Sequence, residues 1–216
     1  MVLLVAIIAL ALVFDYTNGF HDTANAIATS VSTRALSPRV AVMMAAGLNL
    51  VGALVSTSVA MTVGEGLVDT ALVSMQVVLA ALVGAVVWNF VTWYLGIPSS
   101  SSHALFGGLI GAMLASAGGG GVIWSGVVEK IVLPMVGSPL VGFVAAWALM
   151  TGLIWLVHKR QQAPVNRWFR RLQPISAGFM AFSHGANDAQ KTMGIIALAL
   201  FASGQIETFT IPLWVK

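Results

Sequence analysis

Apolar runs long enough to cross a lipid bilayer are the feature that most restricts the fold of this chain. A transmembrane helix needs about 20 mostly apolar residues, and the clearest candidates span 38–63, 70–94 and 138–157. A further apolar run, 1–14, continues into a polar helical stretch that ends near Arg34. Only 8% of the 216 residues are charged, whereas a soluble domain carries about 25%. The sequence therefore predicts an all-α fold, a polytopic membrane helical bundle, because helices satisfy their own backbone groups in lipid.

The composition also excludes several classes of site and partner. The chain has no cysteine, which rules out disulfides, thiolate metal sites and cysteine nucleophiles. The formal net charge of +3 is small, and the basic residues concentrate in one stretch, which indicates membrane orientation and not nucleic-acid binding. The apolar start lacks the basic n-region of a signal peptide, so we interpret it as a mature membrane helix.

The basic stretch predicts the orientation of the chain. It contains His158, Lys159, Arg160, Arg167, Arg170 and Arg171, and the positive-inside rule places such a loop in the cytoplasm. We expect a multi-pass protein of the cell (inner or plasma) membrane, with Glu65 and Asp69 outside and Arg34 inside. The predicted domains are a first inverted repeat (1–157), a basic cytoplasmic linker (158–173) and the start of a second, incomplete repeat (174–216).

Two polar segments interrupt the apolar pattern, one around Asp22 and one around Asp188. On a helix, one continuous polar stripe is formed by Asn18, Asp22, Asn25, Thr29 and Ser32. In lipid such a stripe must face the bundle interior or a water-filled cavity. A shift of 166 residues pairs Gly19 with Gly185, Asp22 with Asp188, Asn18 with His184 and Asn25 with Lys191. Because the predicted topology enters the two segments from opposite sides, they are expected to be equivalent points of an inverted repeat, a ground plan typical of secondary transporters.

These polar residues also have plain structural interpretations. An isolated Asn or Thr in a membrane helix often only hydrogen-bonds to a neighbouring helix. Lys191 follows Asp188 by three residues and is placed to neutralise it. A buried aspartate, however, costs about 2.5–3.5 kcal/mol at the centre of a membrane helix. Asp22 and Asp188 therefore favour a functional site, whereas His158 is expected only to belong to the basic loop.

A proline followed by four serines, residues 98–102, breaks the helical pattern before a short apolar helix that ends near Ala117. That helix is too short to span, so we predict one arm of a re-entrant helical hairpin. Ser101 or Ser102 is expected to cap it, and its free N–H groups would favour an anion. The alternative is a surface turn, in which Ser and Pro are common. Further along we expect a glycine turn (118–121), a segment (122–136) that is either interfacial or packed in protein, and helices opened by Pro139 and by Pro174.

Together these segments resemble the inorganic phosphate transporter family. Residues 19–26, GFHDTANA, resemble its first signature, and residues 184–194, HGANDAQKTMG, resemble its second. Gly96-Ile97-Pro98 with Ser101, Ser102 and His103 resembles its first hairpin. The resemblance covers essentially the whole chain and implies a phosphate site near the membrane midplane. The residues implied for phosphate are Asp22, Thr23, Asn25, Ser101, Ser102, Asp188, Lys191 and Thr192, and those implied for a coupling cation are Asn18, Asp22, Asn187 and Asp188.

The chain departs from the family pattern in two respects. Lys191 stands where other members have Asn, so the two halves are not expected to contribute equally. The family's second hairpin would fall, by the same shift, at about position 269, beyond Lys216. We therefore expect either a fragment of a longer protein or a naturally short form that pairs with another chain.

Charge considerations favour coupled transport. Phosphate beside Asp22 and Asp188 would concentrate negative charge in a low-dielectric site. We expect symport by alternating access with H⁺ or Na⁺, or with a divalent metal–phosphate complex, without a resident cofactor or metal and without enzymatic activity. The expected partners are inorganic phosphate, the lipid bilayer and, as one option, a second copy of the chain.

Three alternatives remain from the residues alone. The first is a transporter of another oxyanion such as sulfate. The second is an intramembrane enzyme acting on a lipid phosphate, for which His103 lacks an acid partner at useful spacing. The third is an inert, truncated chain.

Overall fold

The chain folds into a bundle of helices whose bounds follow its apolar runs. The computed structural model describes residues 1–55 and 57–216, and the side chains of Thr23 and Glu65 lie outside that description. The helices are α1 (Val2–Ser32), α2 (Pro38–Val55), α3 (Ser58–Glu65), α4 (Met75–Leu95), α5 (Ser101–Ala117), α6 (Trp124–Val127), α7 (Leu133–Val157) and α8 (Gln162–Ala202), with a π-helical turn, Val128–Val132, joining α6 to α7. Among the described helices, α1, α2, α4 and the continuous segment Trp124–Val157 are long and apolar enough to cross a membrane. The predicted all-α membrane helical bundle is confirmed.

The helices α1 and α8, which carry the two polar segments, lie side by side and antiparallel. Hydrogen bonds join Asp15 to Thr192, Asn18 to Asp188 and Ser30 to Gln173. Residue numbers rise along α1 as they fall along α8, so the two helices run in opposite directions. This is the relation that an inverted repeat requires of its equivalent segments.

The basic residues at the start of α8 lie at the same end of the bundle as the α1–α2 turn. The guanidinium of Arg170 donates to the backbone carbonyl of Arg34 at 2.6 Å. The shared location of Arg34 and the basic stretch, as the sequence predicts, is therefore confirmed. Which side of the membrane this end faces stays a prediction.

The helix α2 runs parallel to α8 and packs closely on it through glycines. A Cβ added at Gly52 would overlap the backbone of Phe182 and Ala186, and one added at Gly185 would overlap the backbone of Asn49. Small residues allow membrane helices to approach this closely. The contact brings Asn49 of α2 against the polar segment of α8.

The prediction of one continuous span over residues 38–63 is wrong. The first helix, α2, ends at Val55, and α3 begins at Ser58 after Thr57 as its N-cap. The backbone N–H of Val59, near the start of α3, donates to Oε1 of the buried Gln190 at 2.8 Å. A side chain of α8 thus replaces the helical carbonyl that this N–H would otherwise need.

The helices α4 and α5 form the predicted helical hairpin. Gly96, in the left-handed conformation at φ 65°, ends α4, and the Ile97 N–H donates back to the Thr92 carbonyl at 2.9 Å. The short α5 packs on α4 through a buried stripe formed by Ser101, Leu105, Leu109 and Met113. The predicted start of the preceding span at Thr70 is wrong, because Thr70–Leu72 form a 3₁₀ turn that Asp69 caps, and α4 begins only at Met75.

The segment after the hairpin is one long helical unit that is apolar enough to cross a membrane. Helical structure is continuous over Trp124–Val157, so the prediction that Pro139 opens a helix is wrong. No described residue of Val128–Val132 is buried, so packing of this part inside the protein is not seen, and its interfacial position stays a prediction. Pro139 lies inside α7, where a membrane helix tolerates the loss of one backbone hydrogen bond. No described residue of α7 is buried, so its apolar side chains face the surroundings of the bundle.

The last long helix, α8, begins within the basic stretch and not after it. It spans 41 residues from Gln162, and Pro174 lies in its interior, so the prediction that Pro174 opens this helix is wrong. Contacts from α1 support the helix on either side of that point: Ser30 donates to the Gln173 carbonyl, and Asn18 donates to Asp188. The division into domains at 157 and 173 stays a prediction.

Candidate functional site

A cavity of about 530 Å³ lies between α1, α2 and α8. Most of its lining is apolar. Its polar side chains are Asp15, Asn18, Asn49, His184, Asp188 and Thr192, and Lys216 also lines it. The antiparallel packing of α1 on α8 and the glycine contact of α2 bring these side chains together, although they are far apart in the sequence.

Asp188 is the centre of the polar contacts. Its Oδ1 accepts from the Lys191 ammonium at 2.6 Å, and its Oδ2 accepts from the Asn18 amide at 3.1 Å. The His184 Nε2 lies 3.4 Å from the same Oδ2, an ion-pair distance without hydrogen-bond geometry. Lys191 is only 6% exposed, so this is a buried, charge-assisted contact.

The side chains of Asp22 and His184 complete the cluster around Asp188. One ligand atom from each of the three lies within 4.8 Å of the others, the arrangement of a cation site, and all three residues are half-buried. The ring orientation of His184 is set by Asn49. The Asn49 amide donates to the Ala45 carbonyl at 2.7 Å, which leaves its Oδ1 to accept from Nδ1 of His184 at 2.6 Å. Nδ1 of His184 therefore donates this bond, and Nε2 faces the two carboxylates.

Asp15 is the second carboxylate that lines the cavity, beside Asp188, and Asp22 adjoins Asp188 in the cluster. The Oδ1 of Asp15 accepts a hydrogen bond from the Thr192 hydroxyl at 2.9 Å. Among the described residues, one buried ammonium, that of Lys191, contacts these carboxylates, and it pairs with Asp188. The cluster therefore has more negative than positive charge, which a low-dielectric environment tolerates only with added protons or cations.

The sequence analysis placed several of these residues correctly in one site. The structure brings together Asn18, Asp22, Asp188, Lys191 and Thr192. Asn25 is exposed, and Asn187 is exposed with its amide bound to the Ser183 carbonyl of its own helix. Neither approaches the cluster through a described contact. Thr23, also predicted to bind phosphate, lies outside the described side chains.

Three residues of the cavity were missed by sequence reasoning: Asp15, Asn49 and His184. Asp15 had a signal, because it precedes Asn18 by three residues and Asp22 by seven and so extends the polar stripe of α1. His184 also had one, as the partner of Asn18 at the 166-residue shift. Asn49 is a lone amide in an apolar helix, and only the packing of α2 on α8 reveals its role.

The serine hairpin occupies a separate place. The N-cap of α5 is Ser100, whose hydroxyl accepts from the His103 N–H and contacts His103 Nδ1 at 2.9 Å, so the predicted cap at Ser101 or Ser102 is wrong. Ser99, Ser100 and His103 line a cavity of about 440 Å³ between α4 and α5. Ser101 is buried and its hydroxyl has no partner among the described residues. The involvement of Ser101 and Ser102 in one site with Asp22 stays a prediction.

A buried polar link joins the hairpin to α1. The Asn89 amide of α4 donates to the Thr17 hydroxyl at 3.0 Å, and Nε2 of His21 donates to the Asn89 carbonyl at 2.9 Å. His21 immediately precedes Asp22. These bonds hold the hairpin against the segment of α1 that carries the site.

The comparison with known proteins decides the family. A model described as the phosphate transporter family matches residues 18–216. This chain belongs to the phosphate transporter family. A "Probable low-affinity inorganic phosphate transporter" of Mycobacterium bovis is 52% identical over 219 residues, which cover 99% of this chain and 52% of that relative. One of the same description from Streptomyces halstedii is 50% identical over 185 residues, which cover 85% of this chain and 86% of that relative.

The fold agrees with this family. A solved structure described as "The sodium-dependent phosphate transporter" matches with a TM-score of 0.82 and 23% identity, covering 100% of this chain and 72% of that one. The relatives and the fold are those of transporters and not of enzymes. This chain spans about half the length of the mycobacterial relative.

Proposed function

We propose that the protein formed by this chain carries inorganic phosphate across the cell membrane together with a cation. Family membership supports phosphate as the substrate, since the similar relatives are named as low-affinity inorganic phosphate transporters. The observation that carries the proposal is the cavity between α1, α2 and α8, which Asp15 and Asp188 line, with Asp22 and the buried Lys191 ammonium beside Asp188. A bilayer as the surroundings is supported by the apolar spans.

The cavity offers donors as well as charge. Phosphate oxygens accept hydrogen bonds, and the second N–H of the Asn18 and Asn49 amides can donate them, as can the Thr192 hydroxyl once it leaves Asp15. A dianionic phosphate next to Asp22 and Asp15 would be repelled strongly in a low dielectric. In the proposed mechanism, protons or metal cations enter with phosphate and neutralise these carboxylates. The two ions then stabilise each other, which couples their movement.

Alternating access would use the antiparallel pair. The helices α1 and α8 cross at the Asn18–Asp188 contact, so the site lies where a movement of one helix against the other changes access from side to side. In this proposal the serines of α5 reach the phosphate when the hairpin moves. The link from Asn89 to Thr17 and His21 transmits that movement to α1.

The proposal is tested by replacing the two aspartates of the polar segments. We expect Asp22→Asn and Asp188→Asn each to abolish cation-dependent uptake of radiolabelled phosphate into proteoliposomes that contain the purified protein, because each removes a cation-attracting charge. Asp69→Asn is the matched control, since Asp69 caps a turn outside the cavity. Uptake that survives in both site variants would contradict the proposal. If excess sulfate inhibited the uptake of labelled phosphate as strongly as unlabelled phosphate does, a transporter of several oxyanions would be favoured instead.

A further inference from the structure

Lys191 is unusual among the basic residues of the chain because it is buried. It is 6% exposed, and its ammonium lies 2.6 Å from Oδ1 of Asp188. Burying an ammonium is costly unless a carboxylate pairs with it, and Asp188 supplies that partner. The other basic side chains near the cavity are different: Nδ1 of His184 is bonded to Asn49, and Lys216 is exposed and makes no ion pair among the described residues.

Asp188 has both of its carboxylate oxygens engaged. Lys191 binds Oδ1, and the Asn18 amide binds Oδ2. A dissolved cation that neutralised Asp188 would have to replace the Lys191 ammonium at Oδ1 or share Oδ2 with the Asn18 amide. The place beside Oδ1 is filled already, in contrast to a carboxylate without an ammonium partner.

The other two carboxylates of the cluster have no such counterion. Asp15 accepts only the Thr192 hydroxyl, and Asp22 makes no ion pair in the described part of the chain. With Asp188 paired with Lys191, the carboxylates without an ammonium partner among the described residues are those of Asp15 and Asp22. These two residues are where dissolved protons or cations are still needed.

The geometry points to Lys191 as a built-in cation: its ammonium takes the place beside Asp188 that a dissolved coupling cation would otherwise occupy. Lys191 follows Asp188 by three residues on the same helix, so the two charges stay together whichever way the helices move. A tethered ammonium cannot be released on the far side of the membrane. The consequence for transport rests on the proposed function. If that function holds, a protein in which Lys191 is replaced by a neutral residue moves one more cation per phosphate than the unsubstituted protein does.

The inference is tested by measuring Na⁺ binding in the absence of phosphate, so that the result does not depend on transport activity. The protein in lipid nanodiscs is titrated with NaCl against N-methylglucamine chloride at constant ionic strength, and the midpoint of thermal unfolding is followed. We expect Lys191→Gln to lower the Na⁺ concentration for half-maximal stabilisation by about tenfold or more relative to the unsubstituted chain. Lys191→Arg, which keeps the charge, and Lys159→Gln, in the exposed basic loop, should leave it unchanged.

Two double variants locate the Na⁺ site that Lys191→Gln creates, because each removes one negative charge. The increase in Na⁺ affinity should persist in Lys191→Gln/Asp22→Asn, whereas it should disappear in Lys191→Gln/Asp188→Asn. If both double variants lost this increase equally, the effect would be a general electrostatic one and the inference would be overturned. An absence of any gain in folded Lys191→Gln would overturn it as well.

Failure to fold is also informative. If Lys191→Gln is recovered folded only when it is extracted in NaCl, and not in N-methylglucamine chloride, the dissolved cation replaces the ammonium, as inferred. If it is unfolded in both salts, Na⁺ cannot take the place of the ammonium and the inference is wrong. A variant that binds phosphate less well but gains no Na⁺ response would instead make Lys191 a phosphate ligand.

Discussion

At the scale of the residue, the chemistry of the cavity depends on how each carboxylate is compensated. Asp188 has an ammonium and an amide, Asp15 has a hydroxyl, and Asp22 lies near the imidazole of His184. These are different environments for three identical groups. The residue that the sequence pattern makes equivalent to Asp22, namely Asp188, is therefore not equivalent to it in electrostatics.

The Asp15–Thr192 hydrogen bond is predicted to stabilise the α1–α8 pair. Thr192→Val keeps the shape of the side chain but removes the donor, so the half-buried Asp15 carboxylate loses its partner. We expect a loss of about 1–3 kcal/mol in the free energy of unfolding, measured by thermal or denaturant unfolding in detergent. Thr192→Ser should restore most of it.

The control for that variant is Thr62→Val, because the Thr62 hydroxyl bonds only to the Ser58 carbonyl of its own helix. We expect almost no change in its free energy of unfolding. If Thr192→Val were as stable as the unsubstituted chain while Asp15 stayed buried, the hydrogen bond would contribute nothing to packing.

At the scale of the element, close helix contact places the polar residues. Gly52 and Gly185 allow α2 and α8 to approach until Asn49 reaches His184. The break between α2 and α3 also lies against α8, where Oε1 of Gln190 accepts a hydrogen bond from the Val59 N–H at the start of α3. The helix α8 therefore fixes both the path of α2–α3 and the orientation of a site histidine.

Gly52→Ala is predicted to separate α2 from α8. Its Cβ would overlap the backbone of Phe182 and Ala186, which no change of rotamer can relieve. Overpacking of this kind costs about 1–3 kcal/mol, so we expect a lower unfolding midpoint in detergent. Gly47→Ala, on the same helix with nothing within 4 Å of the added atom, should be neutral or slightly stabilising. Equal stability of the two variants would contradict the close contact.

At the scale of the whole molecule, two ends of the bundle can be told apart. The Arg170–Arg34 contact gathers basic residues at one end, while Asp69 belongs to a turn that bonds to Gly121 at the opposite end of α2–α3. The helix α7 presents an apolar surface with no buried residue; Phe143 is 73% exposed and Trp147 is 65% exposed. Such a surface is stable only in lipid or against another apolar surface.

Labelling of single cysteines is predicted to show opposite accessibility for the two ends. The natural chain has no cysteine, so Arg160→Cys and Asp69→Cys each introduce one unique thiol. In intact cells we expect a membrane-impermeant maleimide to label Asp69→Cys from outside and to label Arg160→Cys only after permeabilisation, because basic loops stay cytoplasmic. The reverse pattern would show the opposite orientation, and labelling of both positions from outside would rule out the spans between them.

The sequence by itself determined the membrane bundle, the helical hairpin and the family. Few folds other than a membrane bundle accommodate long apolar runs. The two signatures around Asp22 and Asp188 are local sequence patterns, so they can be recognised without a structure. Helix ends were less predictable. Proline commonly occupies the first turn of a helix, whereas Pro139 and Pro174 lie inside helices here. Neighbouring helices and hydroxyl side chains can compensate for the lost hydrogen bond.

Only the tertiary structure decided which polar residues share a cavity. Asn49 meets His184 because α2 packs on α8, and Asp15 meets Thr192 because α1 crosses α8 in the opposite direction. It also separated Asn25 and Asn187, which the motifs contain, from the residues that face the cavity. The physical reason is that a motif fixes spacing along one helix, whereas a binding site depends on distances and directions between helices.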